Sequence, residues 1–215
     1  MEALLSYFLS MQNSNFTTSV TFLLIAINVV VSIIALYFSP RFLERGYLKP
    51  YRVVREHTWY ELFSSGFLHA NLGHLFVNMF TLYFFGRIME HILGPVYFLG
   101  LYLSSLIISA IPSVIKFRND PDYATLGASG AVGGVLFAFI FLYPYQDVYL
   151  FFIPIGIPAI IFGVLYLFYS MYASGQEGGR INHEAHLAGA VWGIAYMVIF
   201  VPNAFNHFLR ALGVS

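Results

Sequence analysis

The sequence predicts an all-α, polytopic membrane protein, and three observations carry that expectation. Of 215 residues, 59% are hydrophobic and only 9% charged, where ordinary soluble domains carry about 25% charged residues. Six apolar stretches, at 17–38, 72–88, 96–115, 126–143, 148–172 and 185–201, each approach the roughly 20 residues that cross a bilayer. Aromatic residues stand near several of their ends, among them Tyr37, Trp59, Tyr143, Tyr145 and Tyr172, where amphipathic rings favour the lipid–water boundary. Backbone polar groups in lipid must be paired within the segment, so each stretch is expected to be a helix. Residues 1–215 read as one membrane domain with the lipid bilayer as its solvent.

Taken in order, the first 16 residues lack a basic segment, an apolar core and a small-residue cleavage site, so no removable signal peptide is expected there. The connection from Ser39 to Asn71 is long and mixes basic, aromatic and apolar residues. It is too apolar for a plain linker and is expected to lie partly on the membrane surface. Residues Lys116 to Thr125 form a short charged connection. Pro154, Gly156 and Pro158 interrupt the fifth stretch, which is expected to kink or to begin late. The connection at 173–180 is glycine-rich and expected to move.

A formal net charge of zero removes the electrostatic case for a nucleic-acid partner. The absence of cysteine excludes disulfides and thiolate–metal sites. No cofactor and no metal are expected.

Strongly polar side chains inside a span mark function by default. Here they are His69, His74 and Asn78 around the start of the second stretch, Ser129 at the start of the fourth and His186 at the start of the sixth. Successive spans alternate in direction, so the second, fourth and sixth begin on one side of the membrane. These residues are therefore expected near one face, at similar depth. The fourth stretch carries Gly130 and Gly134, and the sixth carries Gly189 and Gly193. Glycines four apart share a helical face and let two backbones approach closely. If those faces pack together, Ser129 and His186 come within reach of one another, and a serine needs such a base to become a nucleophile. At the start of a helix, Ser129 also stands among backbone N–H groups suited to an oxyanion. His74 and Asn78 share a face of the second helix and can add donors there.

These residues resemble the rhomboid family of intramembrane proteases. The matching pieces are Gly127-Ala128-Ser129-Gly130, Ala185-His186-Leu187-Ala188-Gly189-Ala190-Val191-Trp192-Gly193, and the run His69-Ala70-Asn71-Leu72-Gly73-His74-Leu75-Phe76-Val77-Asn78. They occur in the family's order and the resemblance covers all six stretches. It implies a six-transmembrane-helix bundle, a Ser129–His186 dyad with no acidic third member, and transmembrane segments of other membrane proteins as substrates. It further implies an oxyanion hole from His74, Asn78 and the Ser129 backbone, with His69, Gly127 and Gly130 supporting the site. A multi-pass protein of the cell (inner) membrane is the implied setting. One departure stands in the first long connection: Trp59-Tyr60-Glu61 replaces the Trp-Arg pair of many relatives.

Other readings weigh less. A zinc protease needs His-Glu-x-x-His, whereas His183-Glu184-Ala185-His186 puts the histidines three apart. His183 is read as an interfacial loop histidine, and Arg87 and Glu90 as interfacial charges ending the second helix. A transporter would use His74, Asn78 and His186 along a polar route, but no inverted repeat is evident. An inactive relative that binds membrane-protein clients is the nearer alternative; such relatives usually lack the serine or the histidine. Arg41, Arg45, Lys49, Arg52, Arg55, Lys116, Arg118 and Arg180 lie in connections on the Ser129 side. By the positive-inside rule that side is cytoplasmic, while the resemblance implies the opposite.

Overall fold

The computed structural model describes residues 19–149, 155–175 and 183–214. The signal-peptide question at 1–16 and most of the glycine-rich connection at 173–180 lie outside them.

The chain is mostly helical. Helix α1 (Val20–Ile33) continues through a π-turn, Ile34–Phe38. Short helices α2 (Pro40–Gly46), α3 (Pro50–Arg55) and α4 (Glu61–Ser64) follow. Next come α5 (Leu72–Thr81), a π-turn at Leu82–Gly86 and α6 (Arg87–Leu93). Helix α7 is Pro95–Phe117 and α8 is Ser129–Leu142. After an antiparallel strand pair, β1 (Asp147–Tyr149) and β2 (Gly156–Pro158), come α9 (Ala159–Gly175), α10 (His183–Phe200) and α11 (Ala204–Ala211). Among the described residues, Val20–Phe38 and Pro95–Phe117 are long and apolar enough to cross a membrane. A third such span results if α10 and α11, bent by 116°, are taken as one.

The fifth apolar stretch, expected over 148–172, divides. Its first part pairs as β1 and β2, and the helix begins only at Ala159. Pro158 lacks an N–H and fixes its φ, so it fits the end of a strand and the entrance of a helix but not a helix interior. His183, read as a loop residue, is instead the first residue of α10.

The 39–71 connection is folded. Ser39 caps α2 through a hydrogen bond from the Phe42 N–H, and Pro40 and Pro50 open their helices. Glu61 is fully buried, accepts from the Lys49 N–H at 2.7 Å and forms an ion pair with Arg52 at 2.9 Å. The acid thus stands where the resemblance puts a basic residue, and Arg52 supplies the opposite charge. Leu48 and Thr125 exchange backbone hydrogen bonds of 2.9 and 3.0 Å, which ties this connection to the segment ahead of Ser129.

Helix α8 is the hub, buried along nearly its whole length. A Cβ at Gly189 would meet the Gly130 carbonyl, and one at Gly193 the Gly134 carbonyl, so α8 and α10 touch backbone to backbone. On its other side, a Cβ at Gly130 or Gly134 would strike the hydroxyl of Ser109 or Ser105 on α7. Small residues therefore allow three helices to approach far closer than leucine-lined helices can.

At the far end, Glu90 is a cap rather than an interfacial charge. Its carboxylate accepts from the N–H groups of Val20 and Thr21 and from the hydroxyls of Ser19 and Thr21, at 2.6–2.9 Å. An anion at a helix N-terminus meets unpaired donors and the positive end of the helix dipole. The Arg87 guanidinium lies over the Phe22 and Tyr83 rings. At the same end, His207 on α11 reaches the Leu142 carbonyl at 3.1 Å, and Phe208 stacks on Phe141.

Candidate active site

The starts of α5, α8 and α10 converge. Ser129 Oγ lies 2.6 Å from His186 Nε2, and the two residues are only 5% and 3% exposed. With the imidazole proton on Nδ1, Nε2 accepts the serine hydroxyl, the arrangement in which serine can be deprotonated as it attacks. The backbone contacts of Gly130 with Gly189 and of Gly134 with Gly193 begin beside this pair and set its separation. Lys116 at the end of α7 pairs with Glu184 in the first turn of α10, beside His186.

Gly127 precedes Ser129 with φ of 130°, a region that favours glycine. Its N–H donates to the Ser65 carbonyl at 3.0 Å. A Cβ at Gly127 would stand 2.6 Å from His74 Cε1, so the His74 ring lies directly against the turn into the helix that begins at Ser129. His74 is 4% exposed, and both its ring nitrogens are buried without a hydrogen-bond partner among the described residues. Asn78, one turn along, is 2% exposed and donates from Nδ2 to the His74 carbonyl at 2.9 Å. The Asn71 side chain caps α5 by accepting from the His74 N–H.

His69 lies behind this pair. Its ring meets His74 edge to face at 5.1 Å and its Nδ1 stands 2.9 Å from the Ser32 hydroxyl on α1. Full burial, with a smaller contribution from His74, holds the His69 imidazole well below its ordinary range, so it is neutral near pH 7. A cleft of about 40 Å³ opens beside Ser129, lined by Ser65, Ser109, Thr125, Leu48 and His186 among others.

A Rhomboid domain model matches residues 56–203. This chain belongs to the rhomboid family. Among curated relatives, RHOMBOID-like protein 12, mitochondrial, of Arabidopsis thaliana is 31% identical over 78% of this chain and 54% of its own length. Rhomboid protein 1, mitochondrial, of Saccharomyces cerevisiae is 29% identical over 63% of this chain and 40% of its own. Presenilin-associated rhomboid-like protein, mitochondrial, of Bos taurus is 34% identical over 62% and 36% respectively. The rhomboid described here thus spans between about a third and just over half of the length of these relatives.

Every residue singled out from the motifs falls within this rhomboid's cluster or its supporting glycine contacts. Two that the motifs did not mark also reach it, Ser32 and Tyr166, and Asn28 lies one helical turn from Ser32. Ser32 holds His69 from the first helix. Asn28, on the same helix, is fully buried and donates to the Leu24 carbonyl and to the Tyr102 hydroxyl. Tyr166 on α9 donates to the carbonyl of Ser129 itself, at 3.3 Å. Polar residues inside the first apolar stretch were the available signal for Ser32 and Asn28; a tyrosine within a long apolar run offered none for Tyr166.

Proposed function

We propose that this rhomboid is an intramembrane serine endopeptidase that cleaves transmembrane segments of other membrane proteins. One observation carries the reading: a serine hydroxyl 2.6 Å from a histidine ring nitrogen, both buried at the starts of two helices held together by facing glycines. A six-span, multi-pass bundle is the fold we assign, with the second, fourth and sixth spans starting on one face.

In this mechanism Ser129 Oγ bonds to the scissile carbonyl carbon while its proton passes to His186 Nε2. The resulting oxyanion faces the Ser129 N–H, which has no acceptor within its own helix, together with donors from His74 and Asn78. Supporting that role, the His74 ring nitrogens have no other hydrogen-bond partner. Collapse breaks the C–N bond, and His186 returns the proton to the leaving amine. Water then attacks the acyl-enzyme, His186 takes its proton, and the free serine and a carboxylic acid result. The hydroxyl-lined cleft of about 40 Å³ beside Ser129 is large and polar enough to hold that water. Substrates need Gly or Pro near the cut, because a carbonyl within an intact helix is hydrogen-bonded and shielded.

Ser129→Ala tests the assignment. In purified protein in liposomes, wild type should cut a helix-broken transmembrane reporter and Ser129→Ala should not, with unchanged thermal unfolding. Equal cleavage by both would sink the assignment; cleavage by neither would favour a client-binding, inactive relative. The membrane itself is a matter for cell fractionation: we assign a cell membrane from the family resemblance, while the named relatives are mitochondrial.

A further inference from the structure

Helix α10 ends at Phe200, and the chain does not run straight on from there. Val201, Pro202 and Asn203 turn it sharply, so that α11 is bent by 116° from the α10 axis. The turn is hydrogen-bonded and specified. Asn203 takes the left-handed conformation, with φ of 62°, which asparagine adopts more readily than most side chains. The Ala204 and His207 N–H groups donate to the Val201 and Asn203 carbonyls at 3.2 and 2.9 Å. A bend past a right angle carries the chain back toward the side from which α10 came. With α10 crossing the bilayer, α11 therefore lies close to the membrane plane, its last residues tipped toward lipid.

Around its own axis α11 has three sides, read at 100° per residue. Ala204, Phe208 and Ala211 form the first, which meets the bundle: Ala204 is buried and Phe208 stacks on Phe141. His207 stands at the edge of this side and reaches the Leu142 carbonyl. Phe205, Leu209 and Leu212 form a second stripe beside it, and Phe205 and Leu212 are exposed. Asn206 and Arg210, also exposed, take the third side. A helix packed between protein and water needs only one apolar stripe and one polar face. Here a second apolar stripe is left without cover from the described chain.

The surface next to that stripe shows what covers it. Val198, Ile199 and Phe200, in the last turn of α10, are exposed apolar residues of a membrane-crossing helix, and Val214 continues the exposed apolar surface beyond Leu212. We propose that α11 is an in-plane membrane anchor, seated at the boundary of acyl chains and headgroups with Phe205, Leu209 and Leu212 in lipid and Asn206 and Arg210 in water. A helix of this three-sided kind binds a bilayer by apolar burial. Arg210 is the one lysine or arginine on α11, so the seat forms on zwitterionic phospholipid and needs no anionic headgroup. Because Phe208 and His207 also hold the end of α8, the anchor fixes that end of the hub helix to the bilayer surface. The inference holds whether or not the chain cleaves substrates.

The test uses the full chain in phosphatidylcholine vesicles. The chain contains no cysteine, so Phe205→Cys, Leu212→Cys and Asn206→Cys each provide one thiol for a bimane probe at an exposed position, leaving the docked stripe intact. Phosphatidylcholine brominated in its acyl chains should quench the probe at 205 and 212 and spare it at 206. Aqueous iodide should do the reverse. A second arm needs no probe. In the unlabelled double variant Phe205→Ser/Leu212→Ser, amide hydrogen exchange of α11 in vesicles should quicken about 10- to 100-fold, the effect of losing two partly buried apolar side chains.

Iodide reaching all three positions alike would put α11 in water and overturn the anchor. Shielding of 205 and 212 from both quenchers would give the stripe to a protein, a second copy included, and overturn it as well. Lipid quenching at all three would make α11 part of a span instead of an in-plane helix. Unchanged exchange in the double variant would likewise refute the proposal.

Discussion

Gly189→Ala adds one methyl group where two backbones meet. A Cβ there would strike the Gly130 carbonyl oxygen and stand 2.9 Å from its carbon and 3.0 Å from its Cα. Carbon atoms in comfortable contact are about 3.5–4.0 Å apart, so α8 and α10 must separate by about 1 Å. No rotamer change relieves this, because both partners are main chain. Overpacking of this kind costs about 1–3 kcal/mol. The larger effect falls on chemistry. His186 lies one turn before Gly189, and the same displacement carries its 2.6 Å contact with Ser129 beyond hydrogen-bond range. A misplacement of about 1 Å typically costs about 100-fold in rate. The expected outcome is a purified, folded variant with a modest drop in melting temperature and about a 100-fold lower kcat on the transmembrane reporter. Gly133→Ala is the matched control on α8: a Cβ there would make only ordinary contacts, 3.8 Å to Tyr166 and 3.9 Å to the His186 carbonyl. Helix propensity makes that change stabilising by up to about 1 kcal/mol. Near-wild-type kcat for Gly189→Ala, or equal damage from Gly133→Ala, would refute the reasoning.

Three further outcomes can be checked alongside. His74→Ala and Asn78→Ala should each lower kcat about 100- to 1,000-fold, as expected for loss of an oxyanion donor, with thermal unfolding measured in parallel to exclude loss of fold. Arg52→Ala should destabilise by about 3–5 kcal/mol because it strands the fully buried Glu61 carboxylate; the double variant Arg52→Ala/Glu61→Leu should recover much of that in thermal melts. For Glu90, burial raises the carboxyl pKa but hydrogen bonds from Thr21, Ser19 and Val20 outweigh it, holding the group below its usual range. A depressed carboxylate contributes stability above about pH 4.3 that is lost as pH falls through its folded value, so Glu90→Gln should flatten the acid side of a melting-temperature profile.

The chemistry-bearing residues were legible because each motif encodes its own geometry. Histidine and asparagine four apart share a helix face, glycines four apart expose a backbone, and Ser129 and His186 stand beside such glycines. What the sequence concealed are contacts between residues far apart along the chain. Glu90 reads as a charge ending a helix, and nothing near it announces that Val20 and Thr21, some 70 positions away, supply its donors. Glu61 reads as a departure from the family's Trp-Arg pair, and only the fold brings Arg52 to it. Pro154, Gly156 and Pro158 did signal a late start, and the helix begins at Ala159, but hydropathy gave no sign that residues ahead of it pair as strands.

The Glu90 cap has a mechanical consequence. Glu90 pins the first helix to the second at the end of the bundle away from Ser129, and His207 pins α11 to the end of α8 nearby. At the opposite end, Ser129 and His186 adjoin α9, whose Tyr166 hydroxyl reaches the Ser129 carbonyl at 3.3 Å. Stiffness therefore grades along the bundle, from a clamped foot at the Glu90 end to a more compliant head at the Ser129 end. Amide hydrogen exchange should follow that gradient, slowest around Val20–Thr21 and the last turn of α8, with the protein flexing as a splayed fan about a fixed base rather than breathing uniformly.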